Sequence, residues 1–141
     1  MKPSNTPITL PDGQGMHFLN LGVLGLVLQS TSNTERLYFG TLSKELYSLP
    51  TSALDNSVNE PLLSLTKVLG HGQRLGLCDA MTADNQQNIY MGLVDKTQVV
   101  RWNTSEFSDL NKQEIILDDP VLRWINSLWI SDGYLWITHN K

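Results

Sequence analysis

The sequence predicts an all-β fold, specifically a partial β-propeller of about two four-stranded blades plus the start of a third. Three observations carry this. Short runs rich in Leu, Val, Ile and aromatic residues alternate with Asn, Asp, Gly and Ser clusters, the pattern of strands separated by tight turns. The pattern recurs: Leu37-Tyr38-Phe39-Gly40, Ile89-Tyr90-Met91-Gly92 and Leu135-Trp136-Ile137-Thr138 stand roughly 52 and 46 residues apart, in the range of propeller-blade periods. A chain of 141 residues with 40% hydrophobic residues can also build a core, which excludes global disorder. Regular strand spacing suits an all-β sandwich as well, so periodicity alone leaves that alternative open.

Residues 1–15 are polar and carry Pro3, Pro7 and Pro11, so they read as an irregular N-terminal segment. They lack the apolar region of a signal peptide. The apolar stretch from Met16 to Leu28 is interrupted by His17 and Asn20 and is too short to span a bilayer, so no membrane partner is expected. Within it, Val23 to Leu28 is a continuous apolar run, as expected of a strand buried on both faces between packed blades. Ser30-Thr31-Ser32-Asn33 ends it as a turn. Leu37 to Gly40 and Glu45 to Leu49 follow as strands, and Pro50 and Pro61 bracket a loop whose start, Thr51 to Leu54, is one helical turn or coil.

The second unit repeats the plan. Cys78 to Ala83, Ile89 to Val94, Gln98 to Trp102 and Gln113 to Leu117 read as strands, with Asp84 to Asn88 as a turn. A third unit begins with Ser127 to Ile130, turns at Ser131-Asp132-Gly133 and returns through Tyr134 to Thr138.

The net charge of −4, with 10 basic against 14 acidic residues, argues against a nucleic-acid partner. The single cysteine, Cys78, excludes an internal disulfide and opens an apolar strand, so it reads as a small buried hydrophobe.

Several segments in order resemble the yellow / major royal jelly protein family. They are Leu37 to Leu42 followed by Glu45 to Leu54, then Gly70-His71-Gly72-Gln73-Arg74 followed by Asp79 to Asp84. Ile89 to Val94 with Val99 to Thr104, and Asp118-Asp119 with Trp124 and Leu135 to Lys141, continue the series. Arg101 stands where many members carry cysteine, Leu26-Val27 replaces a Met-Ala pair, and Trp124 replaces a phenylalanine. The resemblance implies a secreted six-bladed propeller, of which residues 1–141 would be a C-terminal fragment. Missing blades or another chain would then be needed to cover its exposed blade faces.

The resemblance also implies function. Members of this family act in cuticle pigmentation and development or bind small ligands, and some are associated with dopachrome conversion in melanin synthesis. A non-catalytic binding protein for a small amine or catechol-type ligand is the first expectation, with no cofactor. A dopachrome-converting isomerase and a metal-dependent lactonase-like propeller are the alternatives. By the same resemblance, Asn140 would offer its amide to the ligand and Ile125 would face the same pocket; the residues alone allow Asn140 to be a turn residue.

Other candidates come from the residues. Asn103-Thr104-Ser105 fits an N-glycosylation sequon, usable if the chain is secreted. Asp79, Asp84 and Asn126 lie near strand ends and carry the oxygen donors a hard cation requires, although Asp84 also suits its own turn. Asp118 and Asp119 are adjacent, so on a strand they would point to opposite faces rather than form an acid/base pair. His17, His71 and His139 lack metal-ligand spacing, and His71 between two glycines reads as a loop residue. Gly70 to Gly76 lacks the Gly-Lys-Ser/Thr of a phosphate loop. Trp102, Trp124, Trp129 and Trp136 read as residues that pack blades together.

Overall fold

The computed structural model describes residues 4–9, 16–21, 23–41, 43–55, 64–105 and 109–140, with side chains described from residue 23 onward. Its strands are β1 (Ser4–Thr9), β2 (Met16–Leu21), β3 (Val23–Ser30), β4 (Glu35–Thr41), β5 (Glu45–Pro50) and β6 (Leu69–Gln73). They continue with β7 (Cys78–Ala83), β8 (Asn88–Leu93), β9 (Gln98–Asn103), β10 (Glu114–Asp118), β11 (Arg123–Ser131) and β12 (Tyr134–Asn140). One helical turn, α1 (Ser52–Asp55), follows β5.

The pairing is antiparallel throughout, and each complete sheet is a meander in chain order: β3-β4-β5-β6 and β7-β8-β9-β10. Two further sheets have two strands each, β1-β2 and β11-β12. The innermost strands of successive sheets meet, β3 on β7 and β7 on β11, which is the face-to-face stacking of propeller blades.

Two expectations about local structure change. Residues 4–9 form a strand paired with β2 rather than an irregular segment. Both strands of a two-stranded sheet are edges, where a proline such as Pro7 is tolerated although it lacks a ladder donor. His71 lies in strand β6 rather than a loop, because β6 pairs with β5 across a register shift that the Gly70-His71-Gly72 backbone accommodates. Gly72 there adopts φ of 103°, a conformation that favours glycine.

The first seam, between the β3–β6 and β7–β10 sheets, holds the larger core cluster, which includes Val27, Tyr38, Leu46, Met81, Met91 and Trp102. The fully buried indole of Trp102 meets Tyr38 edge-on, with ring centroids 6.1 Å apart, and the His71 ring at 5.3 Å. The His71 Nε2 lies 2.7 Å from the buried Ser48 Oγ. Arg36 donates to the same oxygen from Nε and Nη2, so the Ser48 proton is free to be donated to a neutral His71. Burial, then the neighbouring Arg36 charge, holds His71 below the usual imidazole range and keeps it neutral.

Arg74 locks this seam. Only 2% exposed, it donates from Nη2 to the carbonyls of Thr41 (2.8 Å) and Ser43, and from Nε to that of Lys44 (3.3 Å). Its guanidinium lies over Gly40, where an added Cβ would come within 2.7 Å of Nη1. The residue before the second blade is thus fastened to the β4–β5 turn of the first.

The second seam joins β11 and β12 to β7 and β8 through Ala80, Val99, Leu122, Ile125 and Leu128, with Tyr90, Leu135 and Ile137 at its margin. The fully buried Ile125 occupies the space over Gly92, and a Cβ on that glycine would overlap its side chain.

Arg74→Met keeps the apolar stem and removes the donors. The buried Thr41 carbonyl and the part-buried carbonyls of Ser43 and Lys44 would lose a charged partner, so an unfolding loss of about 3 kcal/mol is expected by denaturant titration. A loss within experimental error would show that Arg74 is not the fastening of this seam.

Candidate functional site

The strands that meet at the inner edge enclose a cleft of about 270 Å³ lined by Leu24, Gly25, Leu26, Asp79, Ala80, Met81, Asn126, Ser127 and Leu128. All three innermost strands contribute, so both seams must form for the cleft to exist. The exposed lining is mostly polar, with Asn126, Ser127 and Asp79 supplying polar side chains.

Asp79 is the single titratable residue in this lining. It is half-buried, and burial pushes its carboxyl above the usual carboxylate range, partly offset by one donor. That donor is Trp124, whose Nε1 reaches Asp79 Oδ2 at 3.2 Å. Trp124 has φ of 45°, in the left-handed region that bulky residues rarely enter, and sits where the β11–β12 register shifts between Arg123 and Ile125. The bulge turns the indole from β11 back to the strand of the preceding blade. Sequence reasoning placed Trp124 among the packing tryptophans; its hydrogen-bonding role depends on a bulge that no local motif announces.

Asn126 is held in a short polar relay. Thr138 Oγ1 donates to its Oδ1 at 2.6 Å, and its Nδ2 donates to Asn140 Oδ1 at 3.2 Å. Asn140 is therefore next to Asn126 at the open side of the third sheet. Ile125 is paired with His139 in the ladder, but its side chain is buried in the second seam. The structure brings Asn140 to Asn126 and keeps the Ile125 side chain out of the cleft lining.

The remaining candidates separate. Asp84 closes its own turn: its carboxylate accepts from the Gln86 and Asn88 backbone, the Asn88 side chain and the Tyr90 hydroxyl, at 2.8–2.9 Å. These donors hold Asp84 below the usual range against its partial burial. It lies past the far end of β7 from Asp79, about 16 Å away at roughly 3.3 Å per residue, so the two carboxylates do not converge on one ion. Asp118 accepts from Thr97 (2.9 Å) and Gln98 (2.7 Å), while Asp119 accepts from the Val121 amide. Cys78 is fully buried, and desolvation pushes its thiol up to about 11, so it stays a protonated core group.

Asn103 ends β9. Its Nδ2 donates to Asn88 Oδ1 (2.9 Å) and the Gln86 carbonyl (3.3 Å), while Oδ1 accepts from the Ser105 amide (3.0 Å) and hydroxyl. Among the tryptophans, Trp102 packs blades as expected. Trp129 and Trp136 do not: they are 42% and 48% exposed on the face of β11–β12 turned away from the second seam. They stack on each other with ring centroids 5.9 Å apart.

Stacked four-stranded meanders around an inner cleft define the class: this is part of a β-propeller. The comparison with family models matches residues 4–141 to the major royal jelly protein family, and the chain belongs to that family. A search of curated proteins finds no match.

Asp79→Asn keeps an acceptor for Trp124 and removes the half-buried charge. A carboxyl with a raised folded-state pKa weakens the folded state only once pH has risen through its unfolded value. The variant is therefore expected to melt above the parent at pH 7, by differential scanning calorimetry, with the gain vanishing near pH 3. An equal loss at both pH values would contradict this electrostatic assignment.

Proposed function

We propose that this chain is a non-catalytic binding protein whose inner cleft takes a small amine or catechol-type amine. The single observation that carries this reading is Asp79. It is a half-buried carboxylate, fixed by the Trp124 indole and in no ion pair among the described residues, in a cleft whose lining is mostly polar. A protonated amine would supply the missing counter-charge, and the polar lining offers partners to the ring hydroxyls of a catechol. Asn126 and Ser127 would meet hydroxyl groups, with Asn140 and Thr138 orienting the Asn126 amide. Ile125 contributes by seating β11 against the second blade.

An isomerase converting dopachrome needs proton transfer between positioned groups, and a lactonase-like centre needs converging oxygen ligands. The cleft lining offers one titratable group, and Asp84 serves its own turn, which favours binding over either chemistry. Secretion and a role in cuticle pigmentation or development belong to the same family-based reading. Within it, Asn103 is a glycosylation site. Both Nδ2 hydrogens are engaged in the folded chain, so glycan transfer would precede the pairing of β8 with β9.

Isothermal calorimetry with dopamine is expected to show binding that Asp79→Asn weakens at least about tenfold, the equivalent of ~1.4 kcal/mol. Because burial raises the Asp79 pKa, binding should begin to fail at a higher pH than an ordinary carboxylate would give. Absence of heat with the parent, or equal affinity in the variant, would refute the reading.

A further inference from the structure

We propose that His71 is a proton-operated latch on the first seam: neutral, it holds the β3–β6 sheet to Trp102 of the next blade, and protonated, it lets go. The proposal does not depend on what the inner cleft binds.

One row of side chains crosses the first sheet on the face turned to the second. Val27, Tyr38 and Ser48 are ladder partners on β3, β4 and β5. His71 is the extra residue of the β5–β6 register shift, standing between the Leu46–Gly72 and Tyr47–Gly70 pairs. Trp102 covers the row from β9, and the Tyr38 and His71 rings themselves lie 5.5 Å apart. A displaced His71 ring therefore takes packing from both neighbours.

The hydrogen bonds around Ser48 fit one charge state of that ring. A hydroxyl has one proton and two lone pairs. Arg36 occupies both lone pairs, from Nε at 3.2 Å and from Nη2 at 2.9 Å. The remaining proton goes to His71 Nε2, 2.7 Å away, which accepts it only in a neutral ring protonated on Nδ1. Protonating Nε2 sets a donor against a donor, and the Arg36 guanidinium adds like-charge repulsion. Either Arg36 or His71 must then leave Ser48, and His71 carries the contact with Trp102.

The elements packed on β6 bring no anion to offset this among the described residues. From β4 the ring meets Arg36 and Tyr38. On β5, Glu45 accepts from Ser43. On β9, Arg101 pairs with Glu114 on the face opposite Trp102. The 3-10 turn Leu110–Lys112 packs on β6; Asp109 caps that turn by accepting from the Asn111 amide, and Lys112 adds a positive charge. Burial and the Arg36 charge both favour the neutral ring. A base with a lowered folded-state pKa gives stability that is complete above its unfolded value, about 6.5, and is lost as pH falls from there toward the folded value. The seam is firm at neutral pH and released in mild acid. Because β3 meets β7 across this seam, release also parts two walls of the cleft. Cation–π attraction to Trp102 and Tyr38 acts the other way, and a titration decides which prevails.

By NMR of the 141-residue chain, His71 is expected to carry its proton on Nδ1 at neutral pH and to titrate below the ordinary imidazole value of about 6.5. Arg36→Met frees both Ser48 lone pairs and removes the like charge, so it should raise that midpoint toward the ordinary value. His71→Gln stays neutral throughout. The ratio of parent to His71→Gln exchange rates at the Trp102 indole N–H should rise at least about tenfold between neutral pH and pH about 5. A His71 midpoint at or above the ordinary value, an Arg36→Met midpoint no higher than the parent's, or an exchange ratio that pH leaves unchanged would each overturn the proposal. The Arg36→Met comparison stands whether or not the glutamine variant folds.

Discussion

In each complete blade a glycine near the end of the second strand receives a side chain from the residues that open the next blade. Arg74 lies over Gly40, and Ile125 lies over Gly92. The two glycines occupy equivalent places in the repeated segments Leu37-Tyr38-Phe39-Gly40 and Ile89-Tyr90-Met91-Gly92. Any Cβ at either position would collide with the incoming group, so the sheets stack at this separation only because those positions are bare. The same device serves different chemistry: Arg74 satisfies backbone carbonyls, whereas Ile125 fills apolar space. In the third sheet the equivalent residue is Thr138, which uses its hydroxyl to hold Asn126 instead.

The inner cleft follows from that stacking. β3, β7 and β11 come together only when both glycine contacts are made, and Asp79 lies on the middle strand of the three. The bulge beside Ile125 has a second effect, because it places Trp124 in its left-handed conformation and aims its indole at Asp79. A structural contact and the functional carboxylate are thus set by neighbouring residues of one strand. A loosened second seam would release the Trp124 donor and open the cleft together.

Much of the fold was legible in the sequence. The strands from Val23 onward follow from alternating apolar runs and turn clusters, and the spacing of the second strands exposed the blade repeat. The segments resembling the family, in their order along the chain, were specific enough to identify it. The failures share a physical cause. Edge strands such as β1 and β6 carry proline or glycine, residues that signal coil locally, and become strands through pairing with a distant partner. Burial misled at the margins: Leu26, Leu28, Trp129 and Trp136 have core character, but the faces they occupy are uncovered among the described residues. Of the site, Asp79 and Asn126 were visible as oxygen donors near strand ends. Trp124 was not, because its role depends on a bulge and a contact between blades. Arg74 was visible as part of a motif, with no hint that it is buried and bound to three carbonyls.

The fit between Gly92 and Ile125 holds the second and third sheets together, and a double-mutant cycle measures it most directly. Gly92→Ala alone is expected to cost about 1–3 kcal/mol through overpacking, and Ile125→Ala alone about 2–5 kcal/mol through the cavity it leaves. Together they should be less damaging than the two added, by more than ~1 kcal/mol, because the alanine Cβ enters the space that Ile125 vacates. Simple additivity of the two losses would contradict the claim that this contact holds the blades in place.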